Sequence, residues 1–227
     1  MRCGRVRWSV SVRDYQLLIF DWDGTLVDSI GRIVEAMHQA ARSCGLPRLD
    51  DAAIKGIIGL ALPEATRVLY PGLDDHVCSV RFAQRYSDCY LTLETEPSPL
   101  FPGVAEALEV FRAQGFHLAV ATGKSRHGLQ RVLMGRGWCD YFDLTRCADE
   151  TASKPHPLML QETLQYFQLP PQRALMVGDS TFDLQMAHNA GMDSVAVGYG
   201  AQPLAVLQEQ RPCLAIERFS QLREWLA

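Results

Sequence analysis

Residues 16–25 read Gln16-Leu17-Leu18-Ile19-Phe20-Asp21-Trp22-Asp23-Gly24-Thr25. A short, unbroken apolar run ends on one carboxylate, and a second follows two residues later. Such a run, closed by a turn, is the pattern of a strand buried on both faces, as in a parallel sheet. Gly24 lets the chain turn tightly just beyond it. The stretch predicts an α/β protein with Asp21 and Asp23 at the carboxyl edge of the sheet, where open parallel sheets place their ligands.

Immediately downstream the period changes. Ile30, Ile33, Val34, Met37, Ala40 and Ala41 share one helical face within residues 29–45, with Ser29 as N-cap and Gly45 and Pro47 as the stop. Helical signals continue over 50–56, 63–70 and 74–94, with no strand pattern between them. Glu96-Pro97-Ser98-Pro99 then makes a stiff, helix-breaking linker. Residues 28–97 are therefore expected to be an all-helical insert, small enough to be an accessory domain. Residues 1–14 carry Arg2, Arg5, Arg7 and Arg13 but no apolar run of the kind an export signal needs, and are expected to be a tail.

From residue 100 the pattern alternates. Helices are predicted over 103–114, 125–135, 157–167 and 181–190. Strands are predicted over 116–121, 174–177 and 193–197, and 140–143 reads as a short strand or its approach. This alternation implies right-handed βαβ units, with 15–27 and 98–227 forming one α/β core.

The whole chain is consistent with that division. Its 227 residues, 48% of them hydrophobic, suffice for one core plus a small second domain. A net charge of −4 gives no electrostatic case for nucleic-acid binding. No apolar segment approaches the ~20 residues that cross a bilayer. The seven cysteines are scattered without a C-x-x-C pair and the six histidines are dispersed. This spacing argues against a zinc site or a disulfide framework and for reduced thiols in a cytoplasmic protein.

Three predicted strands end in residues able to do chemistry: Asp21, Thr122 and Asp179. Lys154 lies in a proline-rich loop, Ser153-Lys154-Pro155-His156-Pro157. Strand ends of a parallel sheet converge however far apart they stand in sequence. A carboxylate can attack phosphorus, and a second one nearby can protonate the leaving oxygen. Asp183, four residues after Asp179, is expected on the same face of the first turn of a helix. Acidic side chains gathered at one point repel one another unless a cation sits among them, and an oxygen-only set of few carboxylates suits Mg²⁺. Thr122 and the Gly123 N–H can hold a phosphoryl oxygen, and Lys154 can offset developing negative charge. In the insert, Lys55, Gly56, Gly59 and Leu60 form an irregular stretch suited to a specificity loop, in which Lys55 would meet a substrate anion.

With these residues in view, the sequence resembles the haloacid dehalogenase superfamily, and within it the phosphoglycolate phosphatase-like group. DWDGT at 21–25, ATG at 121–123, SKP at 153–155 and GDSTFD at 178–183 occur in the family's order, and NAGMDSVAVGYG at 189–200 fits the subgroup. The resemblance implies a Rossmann-like core under a helical cap, and a phosphatase acting on a small phosphorylated metabolite. It implies Asp21 as nucleophile and Asp23 as acid/base. It implies Mg²⁺ held by Asp21, the Asp23 carbonyl and Asp179 with Asp183 close by, and Thr122 and Lys154 as phosphate and charge stabilisers. Members that cleave carbon–halogen bonds lack the second Asp of the first motif, so Asp23 favours phosphoryl transfer. Trp22 stands where Leu or Phe is commoner, and its side chain is expected to point away from the chemistry. Two alternatives keep the same fold: a sugar phosphomutase, and a non-catalytic phosphometabolite-binding protein.

Overall fold

The computed structural model describes residues 15–73 and 76–227; the expected tail, 1–14, lies outside them. Strand β1 (Leu17–Phe20) is central to a six-stranded sheet with β2 (His117–Thr122), β3 (Leu144–Cys147), β4 (Ala174–Gly178), β5 (Asp193–Val197) and β6 (Leu214–Ile216). The strand order is β3-β2-β1-β4-β5-β6, and every pairing is parallel.

Alternation along each strand divides the core into two layers. Leu18, Phe20, Leu118, Val120, Leu175 and Val177 face one side. There they meet α5 (Val104–Ala113), α6 (Arg126–Gly135) and α10 (Ser220–Leu226). Leu17, Ile19, Ala119, Ala121 and Met176 face the other side, against α7 (Leu158–Phe167) and α8 (Thr181–Asn189). Covering both faces is what makes β1 apolar at every position. Helix α9 (Leu204–Gln208) packs Leu207 with Leu184 of α8 and Ala196 of β5.

Of the two readings of 140–143, the approach to a strand holds: the stretch is a turn, and β3 begins at Leu144. Tyr141 and Phe142 are apolar because they pack with Trp138 in an aromatic cluster rather than in the sheet. Trp22 joins the same cluster, edge-on to Trp138 and Phe142, so its indole is spent on packing. The pattern reading did not anticipate α9, β6 or α10.

The insert contains α1 (Ile30–Ser43), α2 (Asp51–Lys55), α3 (Leu62–Leu69) and α4 (His76–Leu93), around a separate hydrophobic cluster that includes Ile33, Met37, Ile54 and Phe82. The six residues expected on the inner face of α1 are all buried. Gly45, at φ 68°, reverses the chain after α1, and the Leu46 N–H reaches back to the Ala41 carbonyl at 2.9 Å. The two crossings between insert and core run side by side. The Asp28 N–H donates to the Pro99 carbonyl at 2.9 Å, and the Phe101 N–H to Leu26 at 3.0 Å.

No described helix is long and apolar enough to cross a membrane. The six described cysteines are free thiols.

Candidate active site

The strand order reverses at β1, which has β2 on one side and β4 on the other. A crevice therefore opens above the carboxyl end of β1. Asp21 is the first residue beyond that end, and its N–H donates to the Val177 carbonyl of β4 at 3.0 Å. Thr122 closes β2 and Asp179 directly follows β4. Lys154 enters from the loop after β3. All four side chains are buried.

Lys154 is the hub of the charges. Its Nζ lies 2.8 Å from Asp21 Oδ1 and 2.6 Å from Asp183 Oδ1. Burial by itself would lower its pKa, but the carboxylates of Asp183 and Asp21 outweigh burial and hold the amine charged. Asp21 Oδ1 is buried, and this ammonium is the partner the structure gives it.

Asp179 and Asp183 differ from their sequence expectation. The helix begins only at Thr181, capped by Ser180, with Asp183 completing a capping box. Asp179 therefore precedes the helix instead of sharing its first turn. It accepts from Thr25 Oγ1 at 2.8 Å and from the Ala201 N–H at 2.7 Å. Two glycines press against it: a Cβ at Gly24 would lie 2.1 Å from Asp179 Oδ2, and one at Gly200 2.3 Å from Asp179 Cβ. Gly24 also has φ 85°, which only glycine adopts without strain. Asp183, by contrast, spends one oxygen on Lys154 and the other on the Ser180 hydroxyl (2.7 Å) and N–H (3.1 Å).

Asp21, Asp179 and Asp183 offer oxygens within 4.8 Å of one another. Burial, with the repulsion of Asp183, pushes Asp179 up to about 7. Burial raises Asp21 well above the carboxylate range, against the pull of Lys154. One ammonium does not offset three buried carboxylates. An all-oxygen set of three clustered carboxylates fits a hard divalent cation.

Asp23 turns away from this cluster. It accepts from the Ser29 hydroxyl at 2.6 Å and is gripped by Lys124 Nζ at 2.9 and 3.0 Å. Ser29 stands at the N-cap position of α1 but makes no capping bond; its hydroxyl serves Asp23 instead. Lys124 was missed by pattern reading. Its only sequence signal is its place just past a strand end, after Thr122-Gly123. Its Nζ also lies 4.8 Å from the ring centre of Tyr90 in α4. The Asp23 carboxylate outweighs burial and keeps this amine charged.

With this geometry established, comparison with known proteins is direct. The haloacid dehalogenase-like hydrolase family matches residues 18–197. The chain belongs to that family. It is 36% identical over 211 residues to "Probable phosphatase IndB" of Dickeya dadantii, covering 91% of each chain. It is 30% identical to a phosphoglycolate phosphatase of Vibrio vulnificus, covering 92% of this chain and 95% of that one. The fold is shared with the haloacid dehalogenase-like family protein SP0104 of Streptococcus pneumoniae, at a TM-score of 0.81 and 24% identity over 94% of this chain and 99% of that one. The protein is thus an enzyme, a hydrolase whose curated relatives are phosphatases.

In this haloacid dehalogenase-like hydrolase the insert sits directly on the site. A Cβ at Gly123 would lie 2.5 Å from the Gly59 carbonyl oxygen and 2.6 Å from that of Leu60. The Ala61 N–H donates to Ser153 Oγ at 2.9 Å, beside Lys154. Between insert and core lies a cavity of about 620 Å³, reached by Asp21, Asp23, Thr122, Gly123 and Lys124 from the core and by Gly59 and Leu60 from the insert. Lys55 is not among its lining residues; it is exposed at the end of α2. The expectation that Lys55 meets a substrate anion therefore fails on placement: α2 buries Ile54 and turns the neighbouring lysine outward.

Proposed function

We propose that this hydrolase is a cytoplasmic, Mg²⁺-dependent phosphatase of small phosphate monoesters, working through an aspartyl-phosphate on Asp21. Residues 15–27 and 98–227 are the catalytic core in this proposal, and 28–97 a cap that closes over it. The observation that carries it is the gathering of three buried carboxylates, Asp21, Asp179 and Asp183, within 4.8 Å of one another at the switch point of the sheet. Three buried carboxylates against one ammonium are costly in a merely structural role.

An Asp21 oxygen attacks phosphorus, and the bond from phosphorus to the ester oxygen breaks. Its electron pair leaves with that oxygen, which takes a proton from Asp23. Water then gives a proton to Asp23 as its oxygen attacks phosphorus, releasing phosphate and restoring Asp21. Thr122 and the Gly123 N–H hold the phosphoryl oxygens, and Lys154 offsets their charge. Lys124 holds Asp23 until the substrate's phosphate competes for its ammonium. Asp21 and Asp179, with the Asp23 carbonyl, would hold Mg²⁺, which supplies charge neutralisation at the phosphoryl group. Asp183 positions Lys154. Family membership among hydrolases favours water over a sugar as acceptor.

Release of p-nitrophenol from p-nitrophenyl phosphate tests the reading: Mg²⁺ should support it and EDTA abolish it. Saturating Mg²⁺, at about 100 times its Kd, should also stabilise the fold by ~2.7 kcal/mol. That corresponds to a rise in Tm of roughly 5–10 °C. An unchanged melt would count against a metal among these carboxylates. Asp23→Asn is expected to slow both ester cleavage and breakdown of the intermediate by ~10²–10⁴; wild-type rates in both steps would remove Asp23 from the mechanism.

Gly123→Ala probes the cap. The backbone there is not left-handed, so alanine is conformationally allowed. Its methyl group would nevertheless strike the Gly59 and Leu60 carbonyls. The cap should then close imperfectly, and kcat/KM should fall by about 10²-fold with Tm nearly unchanged. Steady-state kinetics and a thermal melt of the variant decide this.

A further inference from the structure

The cavity is far larger and more apolar than a short hydroxy acid requires. At about 620 Å³ it lies within the range of pockets that enclose drug-sized molecules. Phosphate chemistry occupies only its floor. Its walls come from the insert and include Ile33, Met37, Ile58, Val80, Tyr86 and Leu91.

Helix α4 makes the point most clearly. A helix lying on a small domain needs one apolar stripe, and α4 has that stripe in Phe82 and Tyr90, buried in the insert's own cluster. It also places Val80, Ala83 and Leu91 on the cavity wall, on a face they share with Gln84 and Ser87. Val80 and Leu91 are 54% and 47% exposed. These side chains gain nothing from the insert's core, and they border the space where the leaving group of a phosphate ester on Asp21 would lie.

Charge points the same way. A small anionic alcohol, such as glycolate, needs a cation for its carboxylate, because burying that group unpaired is expensive. Among the described lining residues, the lysine and arginine side chains are Lys124 and Arg131. Lys124 is paired with Asp23 and Arg131 with Glu94. His127 is exposed at the rim, and Lys55 lies outside the cavity.

We infer that the substrate is a phosphate monoester of a bulky apolar or aromatic alcohol, whose body fills the space between α1, α4 and the 57–62 segment. This rests on the phosphatase reading above and narrows it to a substrate class. Burying one aromatic body is worth enough to set a preference of tenfold or more.

The test compares kcat/KM for naphthylmethyl phosphate and phosphoglycolate, both esters of alkanols, with the Mg²⁺-loaded wild-type enzyme. A preference of at least about tenfold for the naphthylmethyl ester is expected, and Val80→Lys should shrink it several-fold. Equal use of the two esters, or a preference for phosphoglycolate, overturns the inference. If neither ester is hydrolysed, the phosphatase reading fails, and calorimetry with naphthylmethylphosphonate and phosphonoacetate decides the pocket separately. Tighter binding of the aryl phosphonate upholds an apolar site, and equal or weaker binding refutes it.

Discussion

Asp21→Asn is expected to remove turnover, by ~10⁴-fold or more, while the protein stays folded. An amide has almost the shape of the carboxylate but no charged oxygen to attack phosphorus, and loss of a nucleophile is among the most damaging single changes to an enzyme. The same substitution relieves the fold of a cost. Asp21 is buried beside Asp179 and Asp183, and burial and their repulsion oppose its ionisation. Lys154 keeps its 2.6 Å contact with Asp183 in the variant. In EDTA the Tm of Asp21→Asn should therefore equal or exceed that of wild type. Kinetics and melts on the same preparation check both halves. Residual activity above about a hundredth of wild type would rule out an aspartyl-phosphate at this position.

Lys154→Met is expected to damage stability and activity together. The side chain is completely buried and its ammonium serves two carboxylates. Methionine fills similar space but leaves Asp21, Asp179 and Asp183 with no cation. Breaking a buried ion pair from one side costs about 3–5 kcal/mol, which for a chain of this size is a fall in Tm of roughly 6–20 °C. Turnover should fall by ~10²–10³, because the charge on the transferring phosphoryl group loses its fixed partner. Mg²⁺ should recover part of the lost Tm, since it can neutralise the same carboxylates. A raised lysine pKa in the folded state stabilises below the ordinary lysine value and fades only as pH rises through the raised one. The difference between variant and wild type should thus be constant across neutral pH and narrow only in strong alkali. A drop in Tm of under a couple of degrees in EDTA would show that the carboxylates do not depend on Lys154.

Several features of the site were legible because they are local. The apolar run 17–20 must be a doubly covered strand, since no exposed strand or amphipathic helix tolerates four such residues in succession. The polar residues that end β1, β2 and β4 must then share one edge. The inner face of α1 follows from spacing alone. The stretch at 140–143 left strand and approach both open, because aromatic residues packing in a loop look like strand residues packing in a sheet. The final strand, β6 (Leu214–Ile216), is too short for any period to show, and pairing with β5 alone defines it.

Side-chain partnerships were not legible in the same way. Lys124 meets Asp23 across 101 residues and Lys154 meets Asp183 across 29. Strand order brings each pair together, and composition does not encode it locally. Ser29 resembles a helix cap until the position of Asp23 shows what its oxygen binds, and only the fold shows that Asp183, one of the three clustered carboxylates, also meets Lys154. Lys55 and Lys124 are both lysines beside a glycine, and only packing turns one outward and the other into the cavity.

By itself, then, the sequence determined the α/β alternation, the helical insert and the set of carboxylates at the strand ends. Period and chain direction suffice for those. The tertiary structure alone decided which ammonium faces which carboxylate, that the insert rests on Gly123, and that α4 turns Val80, Ala83 and Leu91 toward the site. These depend on distances between segments remote in sequence, and such distances exist only once the sheet has ordered its strands.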